Sequence, residues 1–462
     1  MARSVRGVAS NETTESWTHG REKVRPKIMK KNGFYAENVD MKKFCYFIVC
    51  LFFISTHSLF AEKFLYQYTE GEKYKVLSTV KEDVLVNGVF NHYAEIVNRI
   101  SYEVTDVETD DLGNSKGFLE ASFMTTEKAY DSANNVISGS TSFEWGEEYE
   151  SQFWRDSLGI YDIEPIYFMP VVRNVPVFPD KDLQIGDTWE AEGQEAYDIR
   201  RTFNVAEPLI VPFSANYTYE GTIEKNLSEQ MDSENAEKKL LHVINVEYSI
   251  FYDIPVPKGA PSTYPVSSMG YSNQTIYWDN ELGSIDSYED EFRIILEMQN
   301  GDRFEFRGTS EAEYTEREKV ATEDTLERLQ EQLDNLNIEN TTLSRDDIGI
   351  TLSIENIQFM PDSAYLMESE KRKLEKIAEL LKAFPNNDLL ISGHTALSGT
   401  MESCQELSEL RAEAVSEYLQ KIGVKDAYHI FTRGFGASKP IGDNSTEAGM
   451  RKNRRVEITI VE

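Results

Sequence analysis

The chain has 462 residues, 40% of them hydrophobic and 11% aromatic, enough to build buried cores in about three domains. A formal charge of -33 repels phosphate backbones and anionic lipid, so the composition excludes a nucleic-acid partner and a broad grip on membranes. Attachment to any anionic polymer would have to be made by a local pocket.

Met41-Lys42-Lys43 precedes an unbroken apolar run from Phe44 to Ile54, then Ser55-Thr56-His57-Ser58 and Ala61. This is the order of a secretory signal peptide, assigned to residues 41–61. The run would rise only ~16 Å as a helix against a hydrocarbon core of ~30 Å, so it is too short to span. Neither Cys45 nor Cys50 stands at the far end of the run, where a lipidated cysteine belongs. A soluble exported protein is therefore expected, with residues 1–40 a non-native extension ahead of Met41. Removal of the signal leaves Cys404 as the only cysteine, so neither a disulfide within the chain nor a cysteine metal site is expected.

Residues 62–315 read as β. Period-two segments such as Lys73–Leu77 and Leu241–Phe251 are rich in β-branched and aromatic residues. Asn300-Gly301, between Phe292–Glu297 and Arg303–Arg307, predicts a tight hairpin, and Ile276–Ile285 predicts a strand, turn and strand. Pro170, Pro176 and Pro179, then Pro255, Pro257 and Pro261, mark loops or sheet edges. The expected architecture is an antiparallel, half-barrel-like sheet. It falls into modules 62–205 and 206–315, either separate or continuous.

Over 316–342, Leu326, Leu329, Leu333 and Leu336 recur at spacings of three and four. They predict one amphipathic helix, too short for a coiled coil and better placed as a linker packed on a neighbour. Residues 343–462 alternate strands and helices. Strands are predicted over Ile348–Phe359, Leu389–Ile391, Tyr428–Thr432 and Arg455–Val461. Helices are predicted over Met367–Phe384 and Gln405–Ile422, the latter closed by Gly423. The expected fold is an α/β sandwich of βαβαββ order.

Five stretches of this last segment occur in order: Ile357–Leu366, Ile391-Ser-Gly-His-Thr395, Leu407-Ser-Glu-Leu-Arg-Ala412, Gly434–Pro440 and Asn453-Arg-Arg-Val-Glu-Ile458. Together they resemble the OmpA C-terminal domain, also found in Pal and MotB. The preceding β region resembles no family in this way. It also lacks the lipid-facing alternation and aromatic girdles of a membrane barrel. The resemblance implies a pocket for the zwitterionic end of the diamino acid in peptidoglycan stems, in which an aspartate takes the ammonium and an arginine the carboxylate. The chemistry is sound, because a guanidinium fork suits a carboxylate bidentately and a carboxylate suits a compact ammonium.

Carried onto this chain, the resemblance places the arginine at Arg411, in the helix motif that follows Thr395. The aspartate position is Ala396 and the family's helix asparagine is Cys404, so half of the charge clamp is gone. One charge-assisted hydrogen bond is worth about 1.5–3 kcal/mol, so the usual ligand should bind one to two or more decades more weakly. Glu402 and Glu406 lie in the right segment to substitute. His394 is expected to be packed and hydrogen-bonded, and Arg454, with Asn453 and Arg455, to organise the last strand and the pocket rim.

Catalysis finds no support. The six histidines show no metal-protease spacing, and there is no GxSxG, P-loop or GxGxxG before a helix. No metal or cofactor is expected. The sequence is read as a non-enzymatic periplasmic envelope protein, associated with the outer membrane or free of it. Its expected partner is peptidoglycan, held through the C-terminal domain. Two other uses stay open: an OmpA-like domain turned into a protein-protein interaction module, and a hydrophobic-ligand carrier in the β region.

Overall fold

The computed structural model describes residues 61–111, 113–138, 142–226, 238–316, 322–336, 338, 340–346, 348–355, 357, 359–360 and 363–462. The expected extension and all of the signal peptide except Ala61 lie outside the described residues, as do Gln358, Pro361 and Asp362 of the first motif.

The N-terminal strands are β1 (Lys73–Val86), β2 (Val89–Thr109), β3 (Ser115–Tyr130), β4 (Val136–Ser138), β5 (Phe143–Glu144), β6 (Glu147–Asp156), β7 (Tyr161–Ile163), β8 (Val172–Arg173) and β9 (Thr188–Tyr197). A short helix, α1 (Arg200–Phe203), leads to β10 (Leu209–Asn226), β11 (Lys238–Asp253), β12 (Pro265–Asp279), β13 (Ser284–Met298) and β14 (Arg303–Glu316). Among the described residues all of these except β5 make one 13-stranded sheet, ordered β7-β6-β3-β2-β1-β14-β13-β12-β11-β10-β9-β8 with β4 beside β3. It curls into a nearly closed barrel. The sheet passes through the expected module boundary by direct pairing, Leu209 opposite Tyr197, so 62–205 and 206–315 share one hydrogen-bonded surface.

The alternation in β11 shows why the sheet curls. Ile244, Val246, Tyr248 and Ile250 point inward and are buried, while Glu247, Ser249 and Phe251 point out. The interior is filled by the chain itself. Glu62 pairs with Leu183, Tyr66 N donates to Ser157 O, and Gln67 N donates to Gly283 O, so residues 62–67 cross the barrel. Phe64 and Tyr66 pack there with Phe178 and Trp278.

The Asn300-Gly301 hairpin forms, but it is looser than a two-residue turn. Only Gly301 has positive φ (90°), and Gly301 N donates to Met298 O while Met298 N donates to Asp302 O. The Asn300 side chain instead accepts from Asp302 N, locking a longer loop.

The C-terminal part begins with α2 (Glu323–Leu336), β15 (Thr341–Arg345), β16 (Gly349–Glu355), α3 (Glu368–Leu381) and β17 (Leu389–His394). It ends with α4 (Met401–Lys421), β18 (Ile430–Gly434), α5 (Glu447–Asn453) and β19 (Arg455–Val461). The helices and strands expected from periodicity are present, but the βαβαββ order needs correction. An extra edge strand, β15, pairs with β16, and a helix of two turns, α5, precedes the last strand. In α2, Leu329 and Leu333 are buried in the same core as Leu374 and Ile377 of α3, so this helix packs on the domain that follows it.

The two sheets are joined. The second sheet runs β15-β16-β19-β17-β18-β5, and its last member is contributed by the N-terminal region. Phe143 and Glu144 pair in parallel with Phe431 and Thr432, and Trp145 N donates to Thr432 O at 2.7 Å. Val97, Met124 and Phe143 of one region form a single buried cluster with Leu390, Phe431 and Val461 of the other. At one side of this cluster Arg99 Nε meets Asp388 at 2.7 Å, both side chains being under a tenth exposed. Arg99 Nη2 donates to the main-chain oxygen of Glu462, Lys75 Nζ to Asn386 O, and His429 Nδ1 sits 2.9 Å from the other Asp388 oxygen.

Candidate ligand site at the end of the second sheet

The site grows from the close approach of α4 to β17. Gly393 permits it, since a Cβ there would lie 2.0 Å from the Ser408 main-chain oxygen. Beyond His394 the chain turns through a loop that ends at Thr400, whose side chain accepts from Ser403 N and starts α4 four residues ahead of the predicted Gln405. Neighbours hold this loop from three directions. Thr395 N donates to Gly436 O, Leu397 N donates to the Asn444 side chain, and the Cys404 thiol lies 3.6 and 3.4 Å from the main-chain oxygens of Ala396 and Ser398.

Asn453 is the hub behind it. Fully buried, it accepts from Ile441 N and Gly442 N and donates to Gly442 O and Asn444. Through Asn444 it reaches the Leu397 amide, so the last helix and the candidate loop are tied into one network.

Ala396 and Cys404 are both buried, at 4% and 3% exposure, so the position where the resemblance expects an aspartate is closed to open solvent. Thr395 Oγ1 is buried with no hydrogen-bond partner among the described residues. Beside it, His394 stacks on Phe435 and its Nε2 meets Glu457 at 3.0 Å, while Arg455 Nε meets the other Glu457 oxygen at 2.8 Å. Burial lowers the pKa of His394, against the pull of Glu457. Burial alone would raise Glu457, but the contacts from His394 and Arg455 outweigh it and hold the carboxyl at about 2. The directions are reconciled by a neutral imidazole that donates Nε2–H, with Arg455 supplying the charge. His394 Nδ1 is then an acceptor, and it too is buried with no partner among the described residues.

Arg411 lies seven residues beyond Cys404 on α4, hence on nearly the same helix face about 10 Å further along. It is half-buried, and its guanidinium sits 4.8 Å from the centre of the Phe359 ring, in the turn closed by the Phe359–Leu366 bridge. Arg454 is elsewhere: its guanidinium pairs with Glu447 at 2.9 Å along α5. Glu402 and Glu406 are exposed on α4. Thr395, Ala396 and Cys404 are thus brought into direct contact or adjacency, Arg411 shares their helix face, and Arg454 is occupied with its own helix. Phe359 and Asn444 escaped the sequence reading, because nothing in a single sequence marks an aromatic or an amide that acts by supporting a neighbour.

Residues 358–454 match the OmpA family. This C-terminal quarter is an OmpA-family domain. The chain is 36% identical over 121 residues to "Probable lipoprotein YiaD" of Escherichia coli K12, covering 26% of this chain and 54% of that protein. It is 39% identical over 104 residues to "Peptidoglycan-binding protein ArfA" of Mycobacterium tuberculosis H37Rv, covering 22% of this chain and 32% of that protein. The chain therefore spans about half and about a third of these curated relatives. An outer membrane protein structure from Borrelia burgdorferi B31 is 41% identical, covering 26% of this chain and 97% of its own, with a TM-score of 0.22. Among the described residues no helix is long and apolar enough to cross a membrane.

Proposed function

We propose that this is an exported, non-enzymatic envelope protein of the periplasm whose OmpA-family domain attaches it non-covalently to peptidoglycan. In this reading Arg411 holds a stem-peptide carboxylate, and Thr395 and the 396–400 loop form the wall of the pocket. The family match at 358–454, with a relative named for peptidoglycan binding, carries the reading. The buried, unpartnered Thr395 Oγ1 and His394 Nδ1 beside Ala396 support it, since such atoms are rare unless a ligand or water satisfies them. With Ala396 in the acid position the ammonium has no counter-charge from that residue, so the attachment is weaker than the family pattern provides.

Co-sedimentation of the full chain with purified sacculi tests this. Arg411→Ala should release a chain that otherwise pellets. Ala396→Asp, combined with Cys404→Asn to restore the family lining, should raise retention by roughly ten- to a hundredfold, the worth of one charge-assisted hydrogen bond. A wild-type chain that stays in solution while the double variant pellets would overturn wall attachment. It would favour the second reading, a domain kept for protein-protein contact. One observation speaks for that use: the domain accepts β5 as a sheet edge and buries Asp388 against Arg99. Carriage of a bulky hydrophobic ligand in the barrel is disfavoured by the filling of its interior with Phe64, Tyr66, Phe178 and Trp278.

A further inference from the structure

Arg155, on β6, points into the barrel and is only 8% exposed. Its surroundings are tyrosines: the guanidinium carbon lies 4.1, 5.5 and 5.8 Å from the ring centres of Tyr66, Tyr68 and Tyr161. Nε donates to the Tyr68 hydroxyl at 3.0 Å and Nη2 to the Tyr74 hydroxyl at 3.4 Å. These use two of five N–H donors, and Arg155 forms no ion pair among the described residues. A buried cation without a counter-ion is costly, and cation–π contact offsets only part of that cost.

The tyrosines do not supply the missing charge. Burial pushes the phenols of Tyr66, Tyr74 and Tyr314 above their ordinary range, against the pull of Arg155. They are therefore neutral. No acceptor takes the hydroxyl protons of Tyr66, Tyr74 or Tyr314 among the described residues, whereas Tyr68 spends its own on Asp156 O. Arg155 and these three tyrosines line one cavity of about 80 Å³. Unspent donors thus converge with an uncompensated positive charge.

Charge balance selects the ligand. Lys239, at the cavity wall, is already matched by Asp279 and Asp286, and Lys225 adds to the hold on Asp286. Glu72 stands at the rim and opposes further negative charge. Among the described residues Arg155 is the one cation of the lining with no carboxylate beside it, and with Glu72 already at the rim this local charge suits a monoanion and disfavours a phosphate dianion. A planar carboxylate also matches the guanidinium fork. Apolar lining comes from Leu282, which is exposed, and Ile285, which is buried in the barrel core.

We propose that the cavity at Arg155 binds a monoanionic carboxylate, either free or at the head of an amphiphile whose tail leaves past Leu282. This is independent of the peptidoglycan reading, since it concerns the other sheet. Acetate, sodium dodecanoate below its micelle concentration, and sodium chloride at matched ionic strength are titrated into the full chain. Emission is followed at Trp278, whose ring lies 4.8 Å from Tyr66, with binding counted by native mass spectrometry.

Saturable one-to-one binding of acetate or dodecanoate, but not chloride, is expected. Dodecanoate tighter by tenfold or more identifies the amphiphile, and equal affinities identify the free carboxylate. Arg155→Met should abolish the response. Because that variant can fail to fold, Tyr74→Phe keeps the ring and the cation while removing one donor, and should weaken binding roughly fivefold. No saturable response to either carboxylate, an equal response to chloride, or unchanged affinity in Tyr74→Phe together with folded Arg155→Met would overturn the proposal.

Discussion

Replacing Asp388 by Ala removes the carboxylate that Arg99 Nε meets across the junction of the two sheets. Both side chains are under a tenth exposed, so the variant leaves the buried Arg99 Nε without its carboxylate partner, while Nη2 keeps its bond to Glu462. Breaking a buried pair from one side costs about 3–5 kcal/mol. The carboxyl itself provides a second estimate. Burial alone would raise its pKa, but the His429 hydrogen bond and the charges of Arg99 and Lys75 hold it at about 2, against 3.8 ordinarily. At 1.36 kcal/mol per unit, that depression is worth about 2 kcal/mol at neutral pH. The first figure is larger because it includes the stranded arginine. Trp145 is the natural reporter, lying edge-on to Phe431 with Arg99 over its ring. Urea unfolding followed by tryptophan emission should show the junction opening at lower denaturant in Asp388→Ala. Arg99→Met with Asp388→Leu should recover most of the loss, because matched apolar groups replace a buried pair at little cost. A change below about 0.5 kcal/mol in the single variant would refute the latch, since it would put the pair among exposed ones in worth.

The same junction should be pH-dependent on both sides. The Asp388 contribution is present above its unfolded value of 3.8 and lost as pH falls through about 2. The Asp388 hydrogen bond raises His429 above its ordinary 6.5, against burial, so that contribution is complete below 6.5 and lost as pH rises through the raised value. Docking should therefore be firmest between about pH 4 and 6.5, and His429→Gln should abolish the alkaline decline in a Trp145 emission titration. Asn453→Ala removes the fully buried acceptor of the Ile441 and Gly442 amides and should cost about 1–3 kcal/mol. Amide hydrogen exchange should then quicken in residues 395–398 as well as 441–444, and faster exchange confined to the second loop would break the proposed link through Asn444.

What could be read from the sequence tracks the range of each signal. The elements α3, α4, β17 and β19 announced themselves because apolar residues repeat at helix or strand spacing within a dozen residues. In contrast, β5 is two residues long and exists only because β18, far along the chain, offers an edge. The strand β15 was hidden by polarity: Thr341, Ser344 and Arg345 are those of an exposed edge strand. Arg155 did leave a trace. Ser151, Phe153 and Arg155 share one parity in β6, and Phe153 is apolar, so alternation alone turns Arg155 inward. Its meaning needed the structure, because of the five tyrosines around it only Tyr161 is near in sequence, while Tyr66 and Tyr68 precede β1, Tyr74 is on β1 and Tyr314 on β14. For the ligand site, Ala396 and Cys404 were legible as departures from a family pattern. Their consequence was not, since only the structure shows the thiol against the main-chain oxygens of Ala396 and Ser398.

The latch and the ligand site sit at opposite ends of the same strand. Asp388 immediately precedes β17 and Thr395 immediately follows it, and a strand of six residues spans roughly 20 Å. Along β17 the side chains divide. Leu389 and Ile391 face the core shared with α3 and α4, and Leu390 faces the cluster shared with the barrel. Docking therefore uses the strand's other face and its far end, with one further contact from Ser142 to Ser416 on α4, and the junction contacts named above lie outside the 395–400 loop. Groups this far apart with no shared partner contribute nearly additively. A loss of sacculus retention in Arg411→Ala can then be read as a loss at the site itself, and not as an undocked domain, provided Asp388→Ala retains as well as wild type. The two variants thus separate the junction at one end of β17 from the proposed wall site at the other.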